Sequence, residues 1–193
     1  MTKRFCIILI LFFGVVAVHA QTIDESLKAE KDYRKTGMLI LGGWAAANIA
    51  GGLAFRANTS GSTKYFHEMN AIWNTVNLGI AAFGYFGAVK LATPETALGL
   101  YKEQISMDKI LLFNAGLDLA YIAGGVFLME RSKTVSKNTE RLRGYGMSVV
   151  MQGAFLFAFD VAMVWVHKSI LLGDGLLLSL RSAPSGISAT LNF

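Results

Sequence analysis

Cysteine is all but missing from this chain: the only one, Cys6, sits in an N-terminal apolar run. A disulfide framework, a thiol relay and a cysteine-rich zinc site are therefore excluded. Proline occurs only twice, and charged residues make up 16% of the 193 positions, against about 25% in ordinary soluble domains. That scarcity argues against disordered, collagen-like and cytosolic globular classes together. Histidine is also rare. Beyond His19 there are only His67 and His167, which the topology read below places at opposite membrane faces, too far apart to share a metal. His67-Glu68 opens like a zinc-protease helix, but the second histidine would have to stand where Ala71 is. No Gly-x-Ser-x-Gly turn and no phosphate-binding loop occur, so no catalytic residue, metal or cofactor is expected.

What the chain does have is apolar mass. Its apolar residues reach 53% before 20 glycines are added, where about 45–50% for both together is usual in soluble domains. Lys3 and Arg4 precede an uncharged stretch from Phe5 to Val18, and Val18-His19-Ala20 offers small residues at the −3 and −1 positions. This pattern reads as a cleavable secretory signal over residues 1–20. Four further segments are long enough to cross a bilayer as helices: 36–55, 69–89, 110–129 and 144–166. Their apolar runs are continuous rather than alternating, which favours helices over a barrel. The expected fold is all-α, a four-transmembrane-helix bundle of two tandem hairpins over residues 21–170, followed by a short β-like tail at 171–193.

Orientation follows from the signal, which starts the mature chain outside. The loops 56–68 and 130–143 then face the cytoplasm and hold seven cations: Arg56, Lys64, Arg131, Lys133, Lys137, Arg141 and Arg143. This agrees with the positive-inside rule. The net charge of +5 is then a matter of topology and lipid headgroups, not nucleic acid, since a basic footprint with interleaved aromatics is absent. Residues 21–35 alternate acids and bases and read as a helix with a solvated face leading into the first span.

A shift of 73 residues lays Ile49-Ala50-Gly51-Gly52 onto Ile122-Ala123-Gly124-Gly125, and matches Gly43 to Gly116 and Ala47 to Ala120. The second helix of each pair follows more weakly, with a shift of 78. Duplication of a helical hairpin is the expectation, as a parallel repeat. Gly43, Ala47 and Gly51, with Gly116, Ala120 and Gly124, form small-residue stripes at which close helix packing is expected.

Polar residues inside the spans are the candidate site. Asn70, Asn74 and Asn77 recur at spacings of four and three and share one helical face. Asn114, Asp118, Tyr121 and Gly125 make a stripe in the third span; Tyr145, Ser148, Gln152, Leu156 and Asp160 make one in the fourth; Asn48 adds an amide in the first. At 1.5 Å per residue, Asp118 and Asp160 lie about 12 and about 9 Å below the outer ends of their spans, in nearly one layer. An ionised carboxylate at that depth costs at least about 2.5–3.5 kcal/mol, so each must be paired, hydrated or protonated. Two acids above a belt of amides suggest a proton or cation site open to the outer face, or simple interhelical hydrogen bonding.

The stretch from Tyr65 to Asn77, with Gly42-Gly43-Trp44 to Gly52 before it, resembles a family of small uncharacterised bacterial membrane proteins with a signal sequence and four helices. The resemblance covers most of residues 36–170 and implies topology but no activity. The leading expectation is a non-enzymatic structural or interaction component of the bacterial envelope in the inner membrane, both mature termini outside. Its partners would be the lipid bilayer and a second copy or another envelope protein. The alternative is a small proton- or cation-linked transporter or channel subunit using Asp118 and Asp160. A lipid-directed enzyme with His67 and Glu68 at the inner headgroups is a third.

Overall fold

The computed structural model describes residues 2–94 and 96–173, with side chains over 24–94, at 96, and over 98–168. Four helices follow one another: α1 (Thr2–Ala57), α2 (Gly61–Val89), α3 (Ala97–Ser132) and α4 (Thr139–Gly173). Among the described residues there is no strand, and the β-like tail expected at 171–193 lies, beyond the helical residues 171–173, outside them. The helices overrun the apolar spans at most ends. α1 passes unbroken through the expected cleavage point at Ala20, and α3 begins about three turns before residue 110.

The connections explain the antiparallel order. Asn58 to Ser60 turn the chain between α1 and α2, with Gly61 at φ +59, a left-handed conformation that glycine adopts without a Cβ penalty. Thr96 caps α3, its side chain accepting a hydrogen bond from the Gly99 amide at 3.1 Å. Asn138, at φ 61, precedes α4, and asparagine tolerates that region better than most residues. α1 packs along α2 and α3 along α4, and the two hairpins join through α2 against α4; α2 and α3 barely touch.

Three helices, α1, α3 and α4, contain stretches long and apolar enough to cross a membrane, within 24–57, 98–132 and 139–168. The expectation of four such helices is corrected at α2. Asn70, Asn74 and Asn77 lower its apolar character, and all three are buried. Large apolar side chains on the outside complete the picture, among them Phe83 at 84%, Trp165 at 76% and Phe113 at 68% exposure. An outer surface this apolar suits lipid rather than water.

The helix 21–35 does not lie in solvent on all sides. Ser26, Leu27, Glu30 and Tyr33 are buried, continuing at helical spacing into Leu41 and Ala45. Tyr33 packs with Leu111, Met163 and Val164, and its hydroxyl donates to the Met163 carbonyl at 2.8 Å.

The packing stripes fall elsewhere than expected. A Cβ added at Gly43, Gly116 or Gly124 would meet nothing within 4 Å, and one at Gly51 would meet only Phe55 of its own helix. Ala47 and Ala120 are exposed. These residues therefore face outwards. Close approach occurs one position on, at Gly52, where a Cβ would stand 2.7 Å from the His67 carbonyl oxygen, and at Gly125, 2.8 Å from that of Gly146. Helical geometry accounts for this, because neighbouring residues differ by about 100° around the axis and only one stripe of each helix can meet its partner.

Candidate functional site

Polar side chains gather in three tiers along the bundle. Nearest the two short loops, Glu68 at the start of α2 accepts from Tyr145 Oη at 2.6 Å and from Arg56 Nε at 2.8 Å, while Arg141 lies 5.0 Å from the centre of the Tyr145 ring. The hydrogen bond from Tyr145, helped by Arg56, lowers the Glu68 pKa. His67 is half-buried beside Phe55 and Phe66. Glu68 thus joins α1, α2 and α4.

In the middle tier the amides form a continuous network. Trp44 Nε1 donates to Gln152 Oε1 at 2.9 Å, and Gln152 Nε2 donates to Asn70 Oδ1. Asn70 Nδ2 donates to Asn48 Oδ1 at 2.8 Å, and Asn48 Nδ2 to the Trp44 carbonyl at 2.8 Å. Along α2, Asn74 Nδ2 donates to the Asn70 carbonyl at 2.8 Å and Asn77 Nδ2 to Asn74 Oδ1 at 3.3 Å. The network joins α1, α2 and α4, and Trp44 is further held by stacking on Phe155 at 3.8 Å.

Such a network specifies register, because a shift of one helix leaves several buried amides unpaired. Asn70→Ala strands the Gln152 amide, which is fully buried, and frees the Asn48 oxygen. A loss of about 1–3 kcal/mol is expected, seen as a lower unfolding midpoint in detergent. An unchanged midpoint would mean that water or another side chain satisfies Gln152.

Beyond the amides lies a cavity of about 240 Å³ between α2 and α3, floored by α4. Asp118 and Asp160 line it together with Asn77, Asn114 and Tyr121, so five residues of the expected site meet in one place. Asn77 belongs to both groups and makes cavity and amide network contiguous. The two carboxyls are neighbours on the cavity wall. They are 3% and 6% exposed, and Asp118 Oδ2 has no hydrogen-bond partner. Trp73 of α2 and Tyr121 of α3 meet edge to face on the same wall, with ring centres 4.9 Å apart.

A third tier, absent from the expected site, closes the other end. His167 Nε2 lies 2.7 Å from Glu30 Oε2 and its Nδ1 lies 2.6 Å from Asp108 Oδ1, while Arg34 Nε bonds Glu30 Oε1 at 2.6 Å. Tyr33 stacks on the imidazole at 4.8 Å. These groups lie outside the apolar runs. Burial alone would lower the His167 pKa, but hydrogen bonds and charge from Glu30 and Asp108 outweigh it, and the pKa is raised. Burial would likewise raise that of Glu30; His167 and Arg34 overcome it, and the pKa is lowered. With its two ring nitrogens bonded to carboxylates on opposite sides, the imidazole ring clamps α1, α3 and α4 together. Among the described residues, no group of three or more acid, histidine or cysteine side chains is arranged to hold a metal ion.

The sequence carries a signal only for the α1 side of this clamp, the helical spacing of Leu27, Glu30, Tyr33, Gly37 and Leu41, which continues one buried face through the charged segment.

Fold and site together define a class: a small all-helical bundle with helices compatible with a multi-pass membrane protein and an acid-lined cavity among them. The chain belongs to a family of unknown function, DUF6992, whose profile matches residues 40–161. That region holds the amide network and both cavity acids, but not Glu30 or His167. No curated protein and no solved structure matches the chain.

Proposed function

We propose that this is an integral protein of the bacterial inner membrane that crosses the bilayer four times, and that Asp118 and Asp160 form a proton or cation site serving a small carrier or channel subunit. The leader would be removed after Ala20, leaving both termini outside and the loops 56–68 and 130–143 in the cytoplasm. Four crossings are favoured because α2 follows α1 along its length, from Gly52 beside His67 to Met38 beside Gly84. A helix so paired crosses wherever α1 does. Its amides turn inward and it presents Ile72, Val76, Ile80 and Phe83 outward. The paired close contacts at Gly52 and Gly125 are what a duplicated hairpin would leave.

One observation carries the functional part: a buried carboxylate oxygen, Asp118 Oδ2, lacks a partner beside a second acid on a cavity. Acids kept for structure alone are normally satisfied by donors, as the neighbouring amides are here. The scaffold role therefore falls to the amides, and ion handling to the acids. Full-length protein in proteoliposomes is expected to dissipate an imposed proton or sodium gradient, and Asp118→Asn and Asp160→Asn each to reduce the flux at least tenfold. Flux equal in wild type, variants and empty vesicles would overturn the reading. Reporter fusions that place residues 57–66 on the same side as the carboxy-terminus would overturn the topology.

A further inference from the structure

Resting on the cation-site reading above, the geometry points to an amphipathic organic ammonium ion as the ligand of this cavity, entering from the hydrocarbon side between α2 and α3 with its charge on Asp118 and Asp160.

Charge comes first. None of the twelve residues lining the cavity is a lysine, arginine or histidine. The titratable groups that face the two acids are the phenols of Tyr33 from α1, which senses the Asp160 charge, and Tyr121 from α3. α2 contributes the neutral Asn77. The bundle therefore offers no positive partner, although it supplies Arg34 and His167 to Glu30 only two turns further out. Two acids with one proton between them leave one negative charge, which a monovalent cation matches. An ammonium ion that displaces this shared proton to water leaves the net charge of the site unchanged, so the balance is an exchange of one cation for one proton.

Shape and chemistry of the walls then select the kind of cation. Most of the lining is apolar: Leu41, Val76, Ile80, Leu117, Leu156 and Phe159. A bare metal ion gains nothing from such walls, whereas an alkyl chain buries its surface there. Trp73 and Tyr121 add aromatic rings, whose faces attract an ammonium group. The volume of about 240 Å³ equals roughly eight water volumes, room for a short alkylammonium and too little for a lipid.

The entrance is lateral. α2 and α3 have few backbone contacts and are bridged at the cavity by the Trp73–Tyr121 pair, so the wall between them is thinner than those of the closely packed pairs α1–α2, α2–α4 and α3–α4. Val76 and Ile80 on one side, and Leu117 on the other, line the cavity and are also 63%, 53% and 37% exposed on the outer surface. These residues form a mouth on the face that meets acyl chains, and it is apolar on both lips. A hydrated ion has no reason to approach from there; an amphiphile already partitioned into the bilayer does.

The test is calorimetric titration of full-length protein in nanodiscs at pH 8 with n-hexylammonium, n-hexanol and sodium chloride as probes. Saturable binding of hexylammonium is expected, with no saturable heat from hexanol and about one proton released per ammonium bound, read from the dependence of the heat on the buffer. Asp118→Asn and Asp160→Asn should each weaken binding at least tenfold. Leu117→Trp, which fills the mouth and keeps both acids, should do the same, so the result does not hang on the folding of one variant. Equal binding of hexanol and hexylammonium would overturn the inference, because the cavity would then be a plain apolar crevice. Saturable sodium binding without ammonium binding, with Asp-dependent flux retained, would overturn the ligand class and leave the cation site standing. Absence of both binding and flux would remove both.

Discussion

Glu30→Ala is expected to destabilise the bundle by about 3–5 kcal/mol, because it leaves charged groups buried without their partner. The Glu30 side chain is fully buried, and so is that of His167, which would retain only Asp108; Arg34, 16% exposed, would keep only its longer contacts with Glu103. The effect has a defined pH window. The raised pKa of His167 means its contribution is complete below its ordinary value of 6.5 and is lost as pH rises through the raised one. The lowered pKa of Glu30 means its contribution is complete above 4.5 and is lost as pH falls through the lowered one. The gap in thermal midpoint between wild type and Glu30→Ala should therefore be widest between about pH 4.5 and 6.5. It should narrow on either side. A gap that is small, or constant from pH 4 to 9, would show that the clamp carries little of the stability.

This clamp also shows where sequence reading fails and why. Composition and continuous apolar runs suffice to derive an all-helical bundle, because both follow from the cost of unpaired backbone in lipid. The amides were legible too: Asn70, Asn74 and Asn77 share a face by spacing alone, and the structure places that face against Asn48 and Gln152. Asp118 and Asp160 could be assigned to one layer by counting residues from the span ends, and they line one cavity. Glu30, Asp108 and His167 were not legible as a unit. They stand on three helices and outside the apolar runs, where charged residues are ordinarily solvated. Only the meeting of α1, α3 and α4 makes them partners. Rotation about a helix axis is the other blind spot, since a repeated motif shows that two segments correspond but not which of its neighbouring residues faces the partner. The shift of 73 lays Gly51-Gly52 onto Gly124-Gly125, and in each pair the close contact falls on the second glycine, Gly52 and Gly125.

That rotation supplies the second large effect. Gly144→Val is expected to separate the two hairpins or prevent folding, at a cost above the usual 1–3 kcal/mol of overpacking. A Cβ at Gly144 would run into the Ser62 carbonyl oxygen and would stand 2.7 Å from the Phe66 amide nitrogen, so backbone rather than a flexible side chain must yield. α2 against α4 is the closest backbone contact between the hairpins, whereas α1 reaches α3 and α4 through side chains further along the bundle, Trp44, Tyr33 and the His167 clamp. The same substitution at Gly43, Gly116 or Gly124 meets open space on the outer surface. Valine there costs at most a few tenths of a kcal/mol, and its loss of backbone freedom in the unfolded chain works in its favour. Yield and thermal midpoint in detergent for the four valine variants, measured side by side, decide the matter. Collapse at Gly144 with wild-type behaviour at the other three would place the hairpin junction at Gly144, whereas sensitivity at Gly43 or Gly116 would mean that these outward stripes contact another copy of the chain. Tolerance at Gly144 would show that α2 and α4 do not approach as closely as their backbones are placed.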